Sequence, residues 1–279
     1  MKIDAHHHFW KYSKVEYGWI NDAMSTIRRD FLPADLEREI RATGIDGVVS
    51  VQARQTVEET RWLLALASGA SFIRGVVGWV PLVDPKVGEL LGELSGQPRL
   101  RGVRHVLQGE PSSYLARTDF NEGIRRLGEF GLCYDLLVLE HQLPETLAFV
   151  DRHPNQPMIL DHLAKPLIRE GVLEPWTRNI RELARRPQVT CKLSGMVTEA
   201  DYRYWKPEQL RPYFDVALEA FGPRRLMFGT DWPVCLVAAG YSRWHDTVAR
   251  WIAPLSHSER EEILGGTATR VYGLLPDRG

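Results

Sequence analysis

The sequence predicts an α/β protein, a distorted (β/α)8 TIM barrel in a single domain, residues 1–279. Three observations carry that reading. Apolar, β-branched segments recur eight times along the chain, and helical patterns lie between most of them. The chain has 279 residues and no evident linker, close to the ~250 residues of a single-domain barrel. Continuous apolar runs such as Val48-Val49-Ser50-Val51 and Ile159-Leu160 suit strands buried on both faces, as in a parallel sheet. A doubly wound open sheet is the alternative, but no Gly-rich dinucleotide turn follows the first segment.

In chain order the expected strands are 2–7, 46–54, 73–81, 100–107, 133–138, 158–163, 189–193 and 225–230. After the first strand, 9–32 forms a long connection holding Trp10, Tyr12, Tyr17 and Trp19. In a barrel such a segment sits over the active-site face, and long ordered loops are often lids. Pro33 fits the first turn of a helix over 34–42, which Gly44 can stop. Thr56-Val57-Glu58-Glu59 reads as a capping box opening a helix that ends near Gly69. Pro207 begins another helix that runs to Phe221, with Gly222-Pro223 as its stop.

Composition narrows the partners. Lys plus Arg is 35 and Asp plus Glu is 36, a net charge of −1, which gives no support for nucleic acid or an anionic membrane as partner. A small-molecule substrate is expected, and a homo-oligomer is left open by the sequence. Hydrophobic content of 44% and charged content of 25% suit a soluble globular protein. Cys133, Cys191 and Cys235 are too few and too far apart for a disulfide framework or a CxxC zinc site. No basic-then-apolar leader and no apolar run of ~20 residues is present, so a cytoplasmic location is expected.

The chemistry concentrates at the expected strand ends. In His6-His7-His8, side chains at i and i+2 share one face of a strand, so His6 and His8 can grip one ion or one substrate. A purification tag would be a longer run flanked by linker residues. The other strand ends offer Gln52 and Arg54, Trp79, Arg104 and His105, Asp161-His162, Lys192 and Ser194, and Asp231. His6, His8, His162 and Asp231 have the donor types of a zinc-like site, and only the barrel's strand order would bring them together. Asp231 could also serve as a general base beside a bound water. Against these readings, Arg54 could simply bridge to Glu59, and Lys192 could be a buried cation paired with Asp161 or Asp231. His153, His245 and His257 are expected at the surface or in structural roles.

These segments resemble the amidohydrolase superfamily, and within it a sugar-lactonase group (L-fuconolactonase-like and L-rhamnono-lactonase-like) that also includes a dicarboxylate lactonase. The resemblance runs nearly end to end. It rests on Ile3-Asp4-Ala5-His6-His7-His8-Phe9-Trp10, Glu59-Thr60-Arg61-Trp62, Gly75-Val76-Val77-Gly78-Trp79, Gly102-Val103-Arg104-His105, Asp161-His162-Leu163-Ala164-Lys165-Pro166, Cys191-Lys192-Leu193-Ser194-Gly195 and Met227-Phe228-Gly229-Thr230-Asp231-Trp232-Pro233. It implies hydrolysis of a lactone ring, with His6, His8, His162 and Asp231 holding one divalent ion, zinc first among the candidates. Some members of the family work without metal. No fifth-strand bridging ligand is evident in Asp135-Leu136-Leu137-Val138, so one ion at most is expected. Asp231, His162 and Lys192 are then the expected catalytic groups. Arg54, Trp79, Arg104, His105 and Trp10 are the expected substrate-binding groups. A metal-dependent decarboxylase is the alternative reaction, and a dicarboxylate lactone the alternative substrate.

Overall fold

The computed structural model describes residues 1–274; the last five residues of the expected domain lie outside the described residues. Eight parallel strands run in sequential order: β1 (Ile3–His7), β2 (Gly47–Val51), β3 (Ile73–Gly78), β4 (Leu100–His105), β5 (Cys133–Leu136), β6 (Met158–Leu160), β7 (Val189–Leu193) and β8 (Leu226–Phe228). Each helix follows its strand: α1 (Pro33–Thr43), α2 (Val57–Gly69), α3 (Val87–Ser95), α4 (Thr118–Glu129), α5 (Leu143–Asp151), α6 (Trp176–Leu183), α7 (Pro207–Phe221) and α8 (Tyr241–Ile252), with short α9 (His257–Glu261) and α10 (Thr267–Val271) beyond. This is the expected (β/α)8 barrel. Its distortion lies at the closure. β8 and β1 share no continuous ladder and meet instead through Asp231 N–H to the His6 carbonyl at 2.8 Å and His8 N–H to the Trp232 carbonyl at 2.7 Å.

All eight expected strands exist, but six overran their C-terminal ends by two or three residues. The overrunning residues include polar groups such as Gln52, Asp161 and Thr230, which leave the ladder at the top of the barrel. Pro33 opens α1, and Gly44, at φ 67°, stops it in the left-handed region. Half of the expected capping box forms. Thr56 Oγ1 accepts from Glu59 N–H at 3.1 Å, but the Glu59 carboxylate turns away to accept from Ala53 and Arg54 N–H at 2.9 and 2.6 Å. Two free amides in the loop after β2 compete for that carboxylate and win.

Inside the barrel, Ile3, Ala5, Val49, Val51, Val77, Cys133, Ile159 and Met227 form a core separate from the strand–helix layer, closed below by Ala268 and Tyr272. On β1 this interior set and the histidines do not share one simple alternation. The pairing with β2 slips between Asp4 and His7, a bulge that spends one extra residue. Ala5 and His6 therefore both face inward, His7 faces outward to Ser50 Oγ at 2.9 Å, and His8 returns to the interior.

Candidate active site

The strand ends surround a cavity of about 740 Å3. His8, His162, Asp231 and Arg104 are among its walls, with Glu16 and Trp19 from the loop after β1, Arg54, Gln55 and Thr56 from that after β2, and Lys165, Thr198, Glu199 and Tyr202 from those after β6 and β7.

Three donor atoms meet near its floor. His6 Nε2 lies 3.3 Å from His8 Nε2 and 3.7 Å from Asp231 Oδ1, and His8 Nε2 lies 3.2 Å from the same oxygen. Tetrahedral bonds of ~2.1 Å separate ligand atoms by about 3.4 Å, so this triangle fits one divalent ion. The hydrogen-bond pattern points the same way. His8 Nδ1 lies 2.8 Å from the Val51 carbonyl, which can only accept, so an uncharged His8 carries its proton there. Its Nε2 then turns a lone pair toward a carboxylate oxygen. Only a positive charge between them, a metal ion or a proton, makes that arrangement favourable. Burial would raise the Asp231 carboxyl, yet His162, His8 and His6 outweigh it and hold Asp231 well below the usual carboxylate range.

Beneath the triangle is a fully buried charge network. Lys192 Nζ lies 2.5 Å from Asp135 Oδ2, 3.0 Å from Asp161 Oδ1 and 3.3 Å from His6 Nδ1. Tyr272 donates to both Asp135 oxygens at 2.8 and 2.9 Å, and Arg104 Nη1 reaches Asp161 Oδ2 at 2.9 Å. Burial raises Asp135, with Lys192 opposing. For Asp161 burial pulls the same way, but Lys192, His6 and Arg104 prevail and keep it well below its ordinary value. Behind β1, Asp4 accepts from His6 N–H, Thr230 N–H and Thr230 Oγ1 at 3.1, 3.0 and 2.6 Å, so one carboxylate ties the histidine strand to β8.

Among the described residues, left-handed backbone outside glycine occurs in this same sector. His162, Leu163, Ala164 and Lys165 have φ of 54°, 54°, 58° and 48°, and Asp231 has φ 59°. Left-handed conformation costs about 1–2 kcal/mol for each L-residue. The surroundings hold it in place: Leu163 and Ala164 are fully buried, and Trp176 Nε1 donates to the Leu163 carbonyl at 2.7 Å. Gly195 packs against the back of His162. A Cβ there would lie 2.5 Å from His162 Nδ1, and its own φ is 67°. His162 Nδ1 pairs with Ser194 Oγ at 2.9 Å, and burial pushes the imidazole down to about 4 despite Asp231 and Asp161.

The expected site residues divide in three. His6, His8 and Asp231 converge, while His162 stands at the edge of that triangle and forms a second donor cluster with His6 and Asp161. Arg54 and Arg104 line the cavity but already hold carboxylates: Arg54 takes Glu16 and lies 3.7 Å from Glu59, and Arg104 takes Asp161. The remaining four expectations need correction. Lys192 is fully buried under His6 and does not reach the cavity. His105 follows Arg104 on β4, so alternation turns it outward, where it meets Glu110 at 2.9 Å and stacks on Tyr114. Trp79 goes with it, donating from Nε1 to His105 Nδ1 at 3.2 Å. Trp10 is fully buried behind His8 and donates to the Arg29 carbonyl at 2.8 Å. The Trp and Tyr rings that do line the cavity are Trp19, further along the same loop, and Tyr202 after β7. Among the other histidines, His153 is buried and pairs with Asn121 at 2.8 Å. Sequence reading passed over Asp4, Asp135 and Tyr272. An aspartate in the middle of an apolar strand is the signal that marks the first two.

A parallel eight-stranded barrel with His6 and His8 at the end of its first strand and Asp231 after its last brings together donors that could hold a metal ion, the arrangement of a hydrolase-type barrel. The chain belongs to the amidohydrolase family, whose model, described as Amidohydrolase, matches residues 3–274. An L-fucono-1,5-lactonase of Burkholderia multivorans is 43% identical over 98% of this chain and 96% of its own length. An L-fucono-1,5-lactonase of Burkholderia ambifaria is 36% identical, over the same shares. The crystal structure of an amidohydrolase from Burkholderia multivorans with bound zinc superposes with a TM-score of 0.96 at 42% identity, covering 99% of this chain and 100% of that one.

Proposed function

We propose that this protein is a sugar-lactone hydrolase that opens a six-membered aldono-lactone of the L-fucono-1,5-lactone type to the aldonic acid. The observation that carries the reading is the His6–His8–Asp231 triangle at the floor of a roomy cavity. The two lactonase relatives, aligned over nearly their whole lengths, supply the substrate class. Cavity charge favours a neutral substrate. Both arginines that could hold a dicarboxylate are occupied by Glu16, Glu59 and Asp161, and Glu199 adds another acidic wall. Nothing in the cavity favours the decarboxylase reading.

His6, His8 and Asp231 would hold one zinc ion. When bound, it acts as a Lewis acid toward the lactone carbonyl and lowers the pKa of a bound water toward ~7. Asp231, ionised near neutrality, takes the proton of the attacking water. His162 is uncharged near neutrality. With Ser194 Oγ donating to Nδ1, its Nε2–H is free to stabilise the oxyanion in a water-poor site. Asp161 and Lys192 orient His6 from below rather than touching the substrate. Arg54, Gln55, Thr56 and Trp19 are placed to bind ring hydroxyls and one face of the sugar. The deciding experiment is a pH-indicator screen of aldono-lactones with and without chelator. Acid release from L-fucono-1,5-lactone or a close analogue, lost on chelation and restored by zinc, is expected. No acid release from any aldono-lactone would overturn the reading.

A further inference from the structure

The three donor atoms of the triangle do not come from one stretch of chain. His6 and His8 stand at the end of β1, and Asp231 follows β8. The triangle therefore straddles the seam between β8 and β1, which no continuous ladder closes. At the other seams repeated backbone bonds fix one strand on the next. Here Asp231 Oδ1 must be held 3.7 Å from His6 Nε2 and 3.2 Å from His8 Nε2 by whatever else crosses the gap.

A buried carboxylate and a buried hydroxyl cross it. Asp4 and Thr230 are both fully buried. Asp4 Oδ1 accepts from His6 N–H on its own strand and from Thr230 N–H across the seam, at 3.1 and 3.0 Å. Asp4 Oδ2 accepts from Thr230 Oγ1 at 2.6 Å, the short distance of a hydroxyl bonded to a carboxylate. That hydroxyl has only one proton to give, so its lone pairs are left to accept, and Trp232 N–H donates to it at 3.1 Å. One oxygen thus fastens the residues on both sides of Asp231. Asp231 itself holds φ 59°, a conformation that an L-residue keeps only when its surroundings fix it. On the side toward β1 the approach is already close: a Cβ at Gly229 would lie 2.9 Å from His6 Cβ. The motion left to restrain is outward, away from the histidines, and the bonds to Asp4 oppose it.

We propose that Asp4 and Thr230 are positioning residues for Asp231, acting through the turn 230–232 to set its carboxylate against His6 and His8; the effect on rate rests on the lactonase reading, in which Asp231 is the base. Neither residue lines the cavity, so neither acts by touching the substrate. Without the hydroxyl, Trp232 N–H is buried with no acceptor and the left-handed turn loses its brace. Asp231 then strays from the line to the attacking water and from the two imidazole nitrogens together.

Thr230→Val and Thr230→Ser test this. Valine keeps the shape without the hydroxyl, and serine keeps the hydroxyl without the methyl. Thr230→Val should lose about 10–100-fold in kcat on an aldono-1,5-lactone, with KM within about 2-fold, because the interaction lost is one at the reacting centre. Its zinc affinity, read by competition with a chelating dye, should fall by at least about 10-fold. Thr230→Ser should recover most of both quantities. Asp4→Asn keeps the two bonds to Oδ1 but turns an N–H toward the Thr230 hydroxyl, so it should resemble Thr230→Val. A Thr230→Val variant that loses melting temperature alone, with kcat and zinc affinity kept, would reduce the pair to a support of the fold and overturn the proposal. Equal losses in Thr230→Ser and Thr230→Val would do the same, since the methyl and not the hydroxyl would then matter. A wild type that binds zinc but opens no aldono-lactone would sink the lactonase reading alone, and the zinc affinities of the two variants would decide this proposal. A wild type that does neither would overturn both.

Discussion

The two halves of the barrel's rim are built by different means. Above β6, β7 and β8 the backbone is strained, with left-handed residues at His162 through Lys165 and at Asp231. Asp161, His162, Lys192, Ser194 and Asp231 there are buried and held by hydrogen bonds or ion pairs. Above β2, β3 and β4 the backbone is ordinary and the charges come in pairs: Arg54 with Glu16 and Glu59, and His105 with Glu110. Strain is worth its cost only where a side chain must be held in one position, and neutralised pairs suit a surface that grips a neutral ligand by hydrogen bonds. The first half therefore carries the chemistry and the second carries recognition. Substitutions in the first should cut kcat, and those in the second should change KM or stability.

The largest effect is expected at Asp231. Asp231→Asn keeps the shape but removes the base, so kcat should fall by about 10²–10⁴-fold with the fold intact by circular dichroism. A near-normal rate would move the base elsewhere. His8→Ala should come next, because it opens the donor triangle. Bound zinc, measured by elemental analysis after dialysis, should fall with an affinity loss of at least about 10-fold, the smaller end of what removing even an outer supporting group costs. Full zinc retention would place the ion in the other cluster, His6–Asp161–His162. Gly195→Ala touches no substrate. It places a methyl 2.5 Å from His162 Nδ1 at a positive φ, so it should cost about 10-fold in kcat and a few degrees in melting temperature. An unaltered kcat would mean that His162 needs no fixed position.

The sequence made the first half easier to read than the second. His6, His8 and Asp231 were legible because strand alternation and strand order are sequence properties. His105 was expected at the site beside Arg104, although neighbours on one strand face opposite ways and only one of the two can point inward. The charge network was harder, because an aspartate such as Asp135 declares its partners only after β5, β7 and α10 are assembled around it. Strain was illegible altogether. No residue type in His162-Leu163-Ala164-Lys165 favours the left-handed region; tertiary packing alone imposes it.

Glu59 gives the gentlest test of the division. It is fully buried in the recognition half, bound to the Ala53 and Arg54 amides, and beside Tyr17 of the loop after β1, whose phenol is pushed up by burial and by Glu59. Burial raises its carboxyl to about 7, with the two backbone amides and Arg54 opposing. In the unfolded chain the value is 4.5, so between pH 4.5 and 7 the folded state holds the proton more tightly. Stability from this group is then full below pH 4.5, falls as pH rises to about 7, and is flat above, a change on the order of 3 kcal/mol at about 1.36 kcal/mol per pH unit. Glu59→Gln cannot titrate, so the wild-type stability minus that of the variant should trace this fall in denaturant melts across the range, while groups common to both cancel. The amide oxygen can still accept both backbone N–H groups, which converge on one carboxylate oxygen, but the negative charge 3.7 Å from the Arg54 guanidinium is gone, so Arg54 should loosen and KM should rise a few-fold at constant kcat. A fall in kcat with unchanged KM would place Glu59 with the chemistry and dissolve the boundary between the two halves.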